Sequence, residues 1–587
     1  MKIPTFPTPV ARRRSRSSGY VLVVVMIMTA LTLLILSSTL SRTATTSRLN
    51  DRSERYHGSL SAAEAATEKV LARMIADYRA GGDSQVAANL ASYRTNIPSS
   101  SDSPFWTNFV FSDAIGNSGR TYIQVLSNST FTTLDSQYSG LKAYSTSYRL
   151  VANARKAEDT SAGNAVMQDL QLATIPVFQF AIFYNGLMEF TWAAPFTVKG
   201  RTHANGSIYT GSSKSLSFDS VVTATSTIQK RDWAGYTLAN MTGSIDYSGG
   251  NSTNVPTLTL PIGTNNTADA VREIIHMPPA GEDPNSAMGR QRYFNKSGIQ
   301  ILVSNSSVTA VIRSNSIPIS LGWTLGNLSA FLNTNVSYFD QREGKTIKAT
   351  EFDVGKFKAW METNINATIQ PLARSKLSVY VADNRTVSGS ELTAVRLVNG
   401  QVLPTNGMTF ATPNPLYVKG HYNVTNNSHL GTTNTTSSAP ASLASDAITI
   451  LSSNWNDTNS SASLGSRGAA DTTLNAAVVT GVVYSSGVNG ASFSGGVMNL
   501  PRMLEDWGNG SRVLTLNTSI VCLFNSARAT AQWKTPGTYY YAPTRAFTFD
   551  NNFLDPTKLP PGSPQLNTLI RGRWYNPPVG VTNYAGL

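Results

Sequence analysis

Cysteine, histidine and charge are all scarce in this chain of 587 residues. The single cysteine, Cys522, excludes an internal disulfide, so stability has to come from burial and backbone hydrogen bonding. Its neighbours Ile520, Val521, Leu523 and Phe524 mark a buried strand thiol, and no base stands nearby in the sequence to activate it. The five histidines include no HExxH or paired spacing, which gives no metal and no cofactor site. Charged residues make up 14% of the chain, and no basic run is interleaved with aromatics. Nucleic acid is therefore not an expected partner. The net charge of +13 overstates the surface. Lys2, Arg12, Arg13, Arg14 and Arg16 stand together without an acid, and without them the charge falls to about +8. That mild excess suits a surface near anionic lipid or cell-wall polymer.

Two short motifs fail on inspection. In NGSIYTGSSKS, Ser212 and Ser213 stand where a phosphate loop needs lysine and then serine or threonine. In GASFSGG, Ser494 takes the place of the second glycine of a nucleophile elbow. Asn-x-Ser/Thr triplets, as at Asn205, Asn251 and Asn305, reflect a polar composition rather than glycan sites.

Charge is wholly missing from Gly19 to Leu40, inside RRRSRSSGYVLVVVMIMTALTLLILSSTL (residues 12–40). An apolar run of roughly 20 residues is what a bilayer requires. The leader arginines keep the N-terminus cytoplasmic and send everything after about Ser41 outward. Three kinds of segment compete. A secretory signal has an apolar core of about 7 to 15 residues and a small-residue cleavage site. This run is longer, and SRTATTSRLNDRSERYHG after it contains no Ala-x-Ala. A plain signal anchor is the second. A type IV prepilin leader is the third, cut after Gly19 so that Tyr20 becomes the new N-terminus. The glycine between basic leader and apolar run favours it.

Proline is missing from Leu40 to Tyr78, where helix formers dominate. Leu60, Ala63, Thr67, Leu71, Met74 and Tyr78 recur at helical steps, widened by Val70 and Ile75. Gly58 is the weak point, costing about 1 kcal/mol relative to alanine. Span and extension together predict about 90 Å of helix, apolar all round at first and amphipathic beyond.

The leader, the span and RLNDRSERYHGSLSAAEAATEKVL resemble the N-terminal region of PilX-type minor pilins and pseudopilins. Arg48, Asn50 and Arg52 match that group's polar stretch loosely, and Ala62, Ala63, Glu64 and Ala65 match its Ala-Ala-Glu-Ala motif. The resemblance covers about 80 residues. It implies a helix that packs in a filament core, with prepilin peptidase and other pilin-like subunits as partners. Major pilins carry glutamate at the fifth mature position, where this chain has Val24. That departure implies a subunit that need not dock beneath another.

The rest divides at about 190. Residues 1–19 read as leader, 20–80 as the membrane and amphipathic helix, and 81–190 as a pilin-like α/β head region. In the last, Thr121–Leu126, Ala143–Ala154, Asn164–Thr174 and Pro176–Tyr184 alternate like strands, with a turn at KAEDTSA. Residues 191–587 carry short β-runs with Asn, Gly and Ser corners, and PFTVKGRTHANGSIYTG finds an echo in PLYVKGHYNV. The fold class expected is thus a long N-terminal α-helix with a mainly-β exported head. An antiparallel pilin-like sheet is followed by a parallel β-solenoid, with a β-sandwich as the alternative. This region resembles the heads of large, uncharacterised bacterial pilin-like proteins, which brings no activity with it.

An insertion around 270–375 gathers Glu273, His276, Glu282, Asp283, Arg290 and Arg292. Its prolines point to a solvated loop whose charges satisfy one another; the competing chemistry is a metal or acid–base site. A helix is predicted over Glu351–Ile365, with Phe352, Phe357 and Trp360 as core contacts, and another around Leu500–Trp507. Tyr539, Tyr540, Tyr541, Phe547 and Phe549 suit the sealing of a β-structure better than a sugar platform.

Size narrows the role. A head of about 500 residues is roughly 60 Å across, whereas a helix is about 10 to 12 Å wide. Such heads do not fit on every subunit of a tight filament. The expectation is a non-catalytic minor or tip subunit of a type IV pilus or secretion pseudopilus. It sits in the inner membrane by a single pass, with the head periplasmic or at the cell surface for contacts or adhesion. The alternative is an anchored β-solenoid enzyme or binding protein acting on surface polysaccharide, with Glu282 and Asp283 as the acids.

Overall fold

The computed structural model describes residues 20–113, 117–134, 138–159, 163–192, 194–234, 241–314, 317–323, 328–363, 377–486 and 493–577. Its first element is a helix from Tyr20 to Ala88. Only Gly82 leaves helical geometry, at φ 70° and ψ −160°, two residues past the predicted end. A Cβ there would meet nothing, so glycine is needed for the backbone angle alone.

An antiparallel sheet receives the outer part of the helix. Its strands are Phe109–Ser112, Tyr122–Thr133, Lys142–Lys156, Gly163–Pro176 and Gln565–Tyr575. Period-two alternation turns Ile123, Tyr148, Leu150, Leu170 and Leu172 toward the helix, where they meet Val70, Leu71, Met74 and Tyr78. Closer to the N-terminus, Ala62, Ala63 and Ala66 pack on Phe109, Phe111, Ala152, Ala154 and Val166. Small side chains there let helix and sheet approach closely. Two sequence expectations change here. Gln565–Tyr575, assigned by sequence to the region 191–587, pairs with Gly163–Pro176 and completes this sheet. Pro176–Tyr184 is not one strand: Pro176 ends the sheet, and Ile182–Tyr184 opens the next layer.

From Ile182 the chain runs in stacked circuits. Ile182–Tyr184, Thr202–Ala204, Val222–Ala224 and Asn251–Ser252 pair in parallel, each on the one before. Met188–Glu189, Ile208–Tyr209 and Ile228–Gln229 repeat the pattern on a second face. Phe196–Val198, Leu216–Phe218 and Ile245–Tyr247 repeat it on a third. Stacked side chains on the first face, such as Asn185 with Asn205 and His203 with Thr223, lie 20 residues apart in sequence. The chain then leaves and returns to the same sheet with Ile299–Val303, beyond which Val308–Ser314 and Ile317–Trp323 add two antiparallel strands at the far edge. Leu377–Asp383, Met408–Ala411, Ala441–Ser445, Ala477–Val482 and Ile520–Asn525 follow in parallel, and the last pairs with Ile182–Tyr184. Two arms thus meet in the middle of one twelve-stranded sheet. The second arm's circuits are longer and uneven: 33 residues separate Thr409 from Ser442, and 42 separate Asn475 from Asn517.

Side chains and corners explain why circuits stack. Asn517 donates to Asn475 at 2.8 Å, and Thr409 meets Ser442 at 2.7 Å, so polar positions satisfy one another up the stack. At one corner a Cβ on Gly206 would lie 2.7 Å from the carbonyl carbon of Gly186, so only glycine allows the contact. The Val-Lys-Gly echo marks a shared corner rather than equivalent circuits. Phe196–Val198 lies in a three-stranded sheet and Leu416–Lys419 in a different, six-stranded one. Both strands end at a glycine with positive φ, Gly200 (108°) and Gly420 (81°).

Two predicted helices are corrected. Glu351 to Asp353 belong to the strand Lys345–Asp353, and the helix is Val354–Thr363, its first turn capped where Asp353 accepts from the Lys356 N–H at 2.9 Å. Ile365 lies outside the described residues. Phe352 and Phe357 are buried, and Trp360 stacks on Phe357 beside Phe331, as core contacts should. Around Leu500–Trp507 there is no α-helix but the short strand Arg502–Met503. Leu500, Met503, Leu504 and Trp507 imitate helical spacing, yet Arg502 and Glu505 between them are buried as well. No face is left for solvent.

Buried carboxylates make stability depend on pH. Burial pushes Glu189 and Glu505 each up to about 7, against an ordinary 4.5. Glu189 accepts from the hydroxyls of Ser485 and Ser494, and Glu505 from the Ser452 N–H and hydroxyl. An acid whose pKa is raised on folding contributes most below the unfolded value and loses that contribution as pH rises through the folded one. Stability should therefore fall between about pH 4.5 and 7, by on the order of 3 kcal/mol per group. A Glu189→Gln, Glu505→Gln variant should unfold later than the parent at pH 8 and about equally at pH 4.5. Equal shifts at both pH values would contradict this.

Candidate functional site

The first buried residue of the helix is Ser59, and contacts with the head begin at about Asn50, which leaves residues 20–49, about 45 Å of helix, clear of it. Tyr20 to Leu40 carries no charge and is exposed almost throughout. Helical backbone satisfies its own N–H and C=O groups, which a bilayer demands. The threonine hydroxyls inside the run are satisfied too: Thr29 donates to the Val25 carbonyl at 2.8 Å, Thr32 to that of Met28 at 2.9 Å and Thr39 to that of Leu36 at 2.9 Å. By length and composition this helix is apolar enough to cross a membrane. Tyr20 is its first residue; Gly19 and the leader lie outside the described residues.

The polar stretch that follows meets the head through ion pairs. Arg55 reaches Asp51 at 2.8 Å and Asp159 at 3.1 Å, and Lys69 reaches Asp102 at 2.6 Å. Glu68 takes a bidentate pair from Arg571 at 2.6 and 2.9 Å, which ties the helix to the returning last strand. Of the resemblance residues, Ala62 and Ala63 are buried while Arg48, Asn50 and Arg52 are exposed.

The charged insertion closes on itself. Arg292, 3% exposed, grips Glu282 with Nε at 2.5 Å and Nη2 at 2.9 Å. It also donates to Glu273 Oε2 at 3.0 Å and to the Glu273 carbonyl. His276 Nδ1 lies 3.1 Å from the other Glu273 oxygen. Asp283 accepts from the Asn285 N–H in a turn. Glu282 is therefore held by Arg292, whereas Asp283 is exposed and uses one oxygen in the turn. Among the described residues no group of three His, Cys, Asp or Glu side chains is placed to hold a metal.

Elsewhere the polar motifs are structural. Ser212 accepts from the Lys214 N–H, and Ser494 is buried against Glu189. In Asn-x-Ser/Thr triplets, Asn265, Asn426, Asn434 and Asn456 each accept from the N–H and the hydroxyl two residues on. The triplet is thus a turn device here. Cys522 is fully buried, its thiol pushed up to about 12 by that burial. Tyr539, Tyr540 and Phe549 are buried as seals, and Tyr541 is exposed. Sequence reasoning missed Glu189, Glu505 and a polar cleft between circuits, because none carries a local spacing signal.

Fold and site together define a class: a protein with one exposed apolar helix that carries a head built almost wholly of β-strands. No family model matches the chain, and no curated protein matches it. A solved structure that it matches is the competence-associated pilin ComZ from Thermus thermophilus, at 12% identity over 89% of this chain and 98% of that one. The TM-score is 0.27, too low to equate the two folds.

Proposed function

We propose that the chain is a membrane-anchored, pilin-like subunit, present at low copy or at the tip of a type IV pilus or secretion pseudopilus. The free helix of residues 20–49 carries this reading. Its apolar half suits a bilayer or a bundle of like helices, and its polar half holds the head away from that bundle. The leader arginines orient the anchor with its N-terminus cytoplasmic in the inner membrane. Prepilin peptidase removes the leader between Gly19 and Tyr20. The head makes contacts, surface polysaccharide among them, and catalyses nothing; of its candidate acids, Glu282 is already held by Arg292. A parallel β-solenoid in two arms is the architecture we infer for residues 182–549, supported by the in-register parallel pairings and the stacked asparagines. Shearing cells and comparing filament with membrane fractions tests the role. Substoichiometric recovery with filaments is expected. Recovery in the membrane alone, unchanged in cells without prepilin peptidase, would contradict it.

A further inference from the structure

A cleft of about 1110 Å³ crosses three circuits on the six-stranded side of the head. Corners build it. Asn399, with φ 55°, turns the chain after Glu391–Val398, and Gly420, with φ 81°, turns it after Leu416–Lys419. The next corner stacks beneath: Asn423 and Val424 donate their N–H groups to the carbonyls of Gly400 and Gln401. Side chains leaving these corners line one wall, and the helix Val354–Thr363 supplies Gly355 and Lys358 to the other.

Most charges in the cleft cancel. Arg396 is held by Glu351 at 2.6 Å and by Asp457 at 2.6 Å, and Lys358 by Glu362 at 2.7 Å. Lys419 is different: no carboxylate lies within ion-pair distance of it among the described residues. Glu505, which feels its charge, is buried and bound to Ser452. His421 Nδ1 accepts the Thr473 N–H at 3.1 Å, which leaves a proton on Nε2 as a donor. Burial lowers its pKa and keeps it neutral. Gln401 donates to Asn427 at 2.6 Å, and the remaining Asn427 amide protons and Gln401 oxygen stay open. Val402, 38% exposed, adds an apolar edge.

One free cation, several neutral donors and a small apolar edge match a hydroxylated ligand that bears a carboxylate. We propose that this cleft binds an acidic saccharide, its uronate carboxylate on Lys419 and its hydroxyls on His421, Asn427 and Gln401. The proposal deepens the contact role given to the head, but it does not depend on how the helix is anchored. The probe is a short oligogalacturonate, titrated into the full chain in detergent micelles, with its methyl ester as the uncharged control. We expect binding to the acid form and at least about tenfold weaker binding to the ester. Lys419→Gln should weaken acid binding by about tenfold, and so should Asn427→Ala, an exposed change that leaves the fold intact. Lys230→Gln, away from the cleft, should change nothing. No binding of the acid form, equal binding of the ester, or unchanged binding by folded Lys419→Gln and Asn427→Ala variants would each overturn the proposal. Cleavage of the leader is unaffected by any of these outcomes, so the two ideas fail separately.

Discussion

Arginine in place of Leu31 and Leu34 should leave the protein out of the membrane. Both leucines lie well inside the uncharged run and are exposed, Leu31 at 53% and Leu34 at 68%. A charged side chain at the centre of a span costs about 2.5 to 3.5 kcal/mol by insertion scales. That is a factor of roughly one hundred for each, at 1.4 kcal/mol per tenfold. The double substitution should move the chain from carbonate-washed membranes to the soluble or degraded fraction. Thr45→Arg, beyond the run, should not. Retention of the double variant in washed membranes would show that the helix is held by something other than lipid.

A second large effect is expected inside the head. Arg502 and Glu343 pair at 2.5 Å with side chains only 5% and 3% exposed. The pair is pinned further, since Arg502 donates to the Ala529 carbonyl at 2.6 Å and Glu343 accepts from the Ala531 N–H at 3.1 Å. Arg502→Ala strands a carboxylate in the interior, which should cost about 3 to 5 kcal/mol. Replacing both members, Arg502→Met with Glu343→Leu, removes the stranded charge and should recover most of that loss. Denaturant unfolding of the two variants measures the difference. A loss below about 1 kcal/mol for Arg502→Ala would mean that water reaches Glu343.

The parts of the fold that were legible in sequence are those decided locally. The helix shows because its apolar stripe and missing proline need no partner to be seen. The strands around Ile123, Tyr148 and Leu170 show because they are rich in β-formers and alternate side chains face the helix, although Arg149, Val151 and Met167 on the other face are buried as well. Ala62 and Ala63 stand where the helix touches the sheet, as their small size suggests. The strand Gln565–Tyr575 was assigned elsewhere because its partner is distant: Thr174 and Asn567 meet across 393 residues. The circuits of the first arm were harder still. Their 20-residue spacing is kept by shape rather than residue type, so Phe183, His203 and Thr223 stack as equivalents. His203 survives in that core because Thr223 and Asn205 bond both ring nitrogens, and burial lowers its pKa to about 4. Around Arg502, burial on every side erased the pattern on which a helix prediction depends.

Candidate chemistry followed the same rule. The sequence predicts a solvated loop for the insertion, yet it folds into the short helices Ala287–Gln291 and Tyr293–Lys296 around a buried Arg292. Its prolines fall ahead of these helices rather than within them. That its charges satisfy one another is as expected, and Arg292 is the residue that satisfies them. The cleft around Lys419 stayed hidden because its side chains come from three circuits far apart in sequence.

The most direct measurement is the intact mass and N-terminal sequence of the protein purified from its own membranes. A chain that begins at Tyr20 is the predicted result. A chain that keeps Met1, or one that begins beyond Ser41 after cleavage outside the membrane, would contradict the pilin-like anchor.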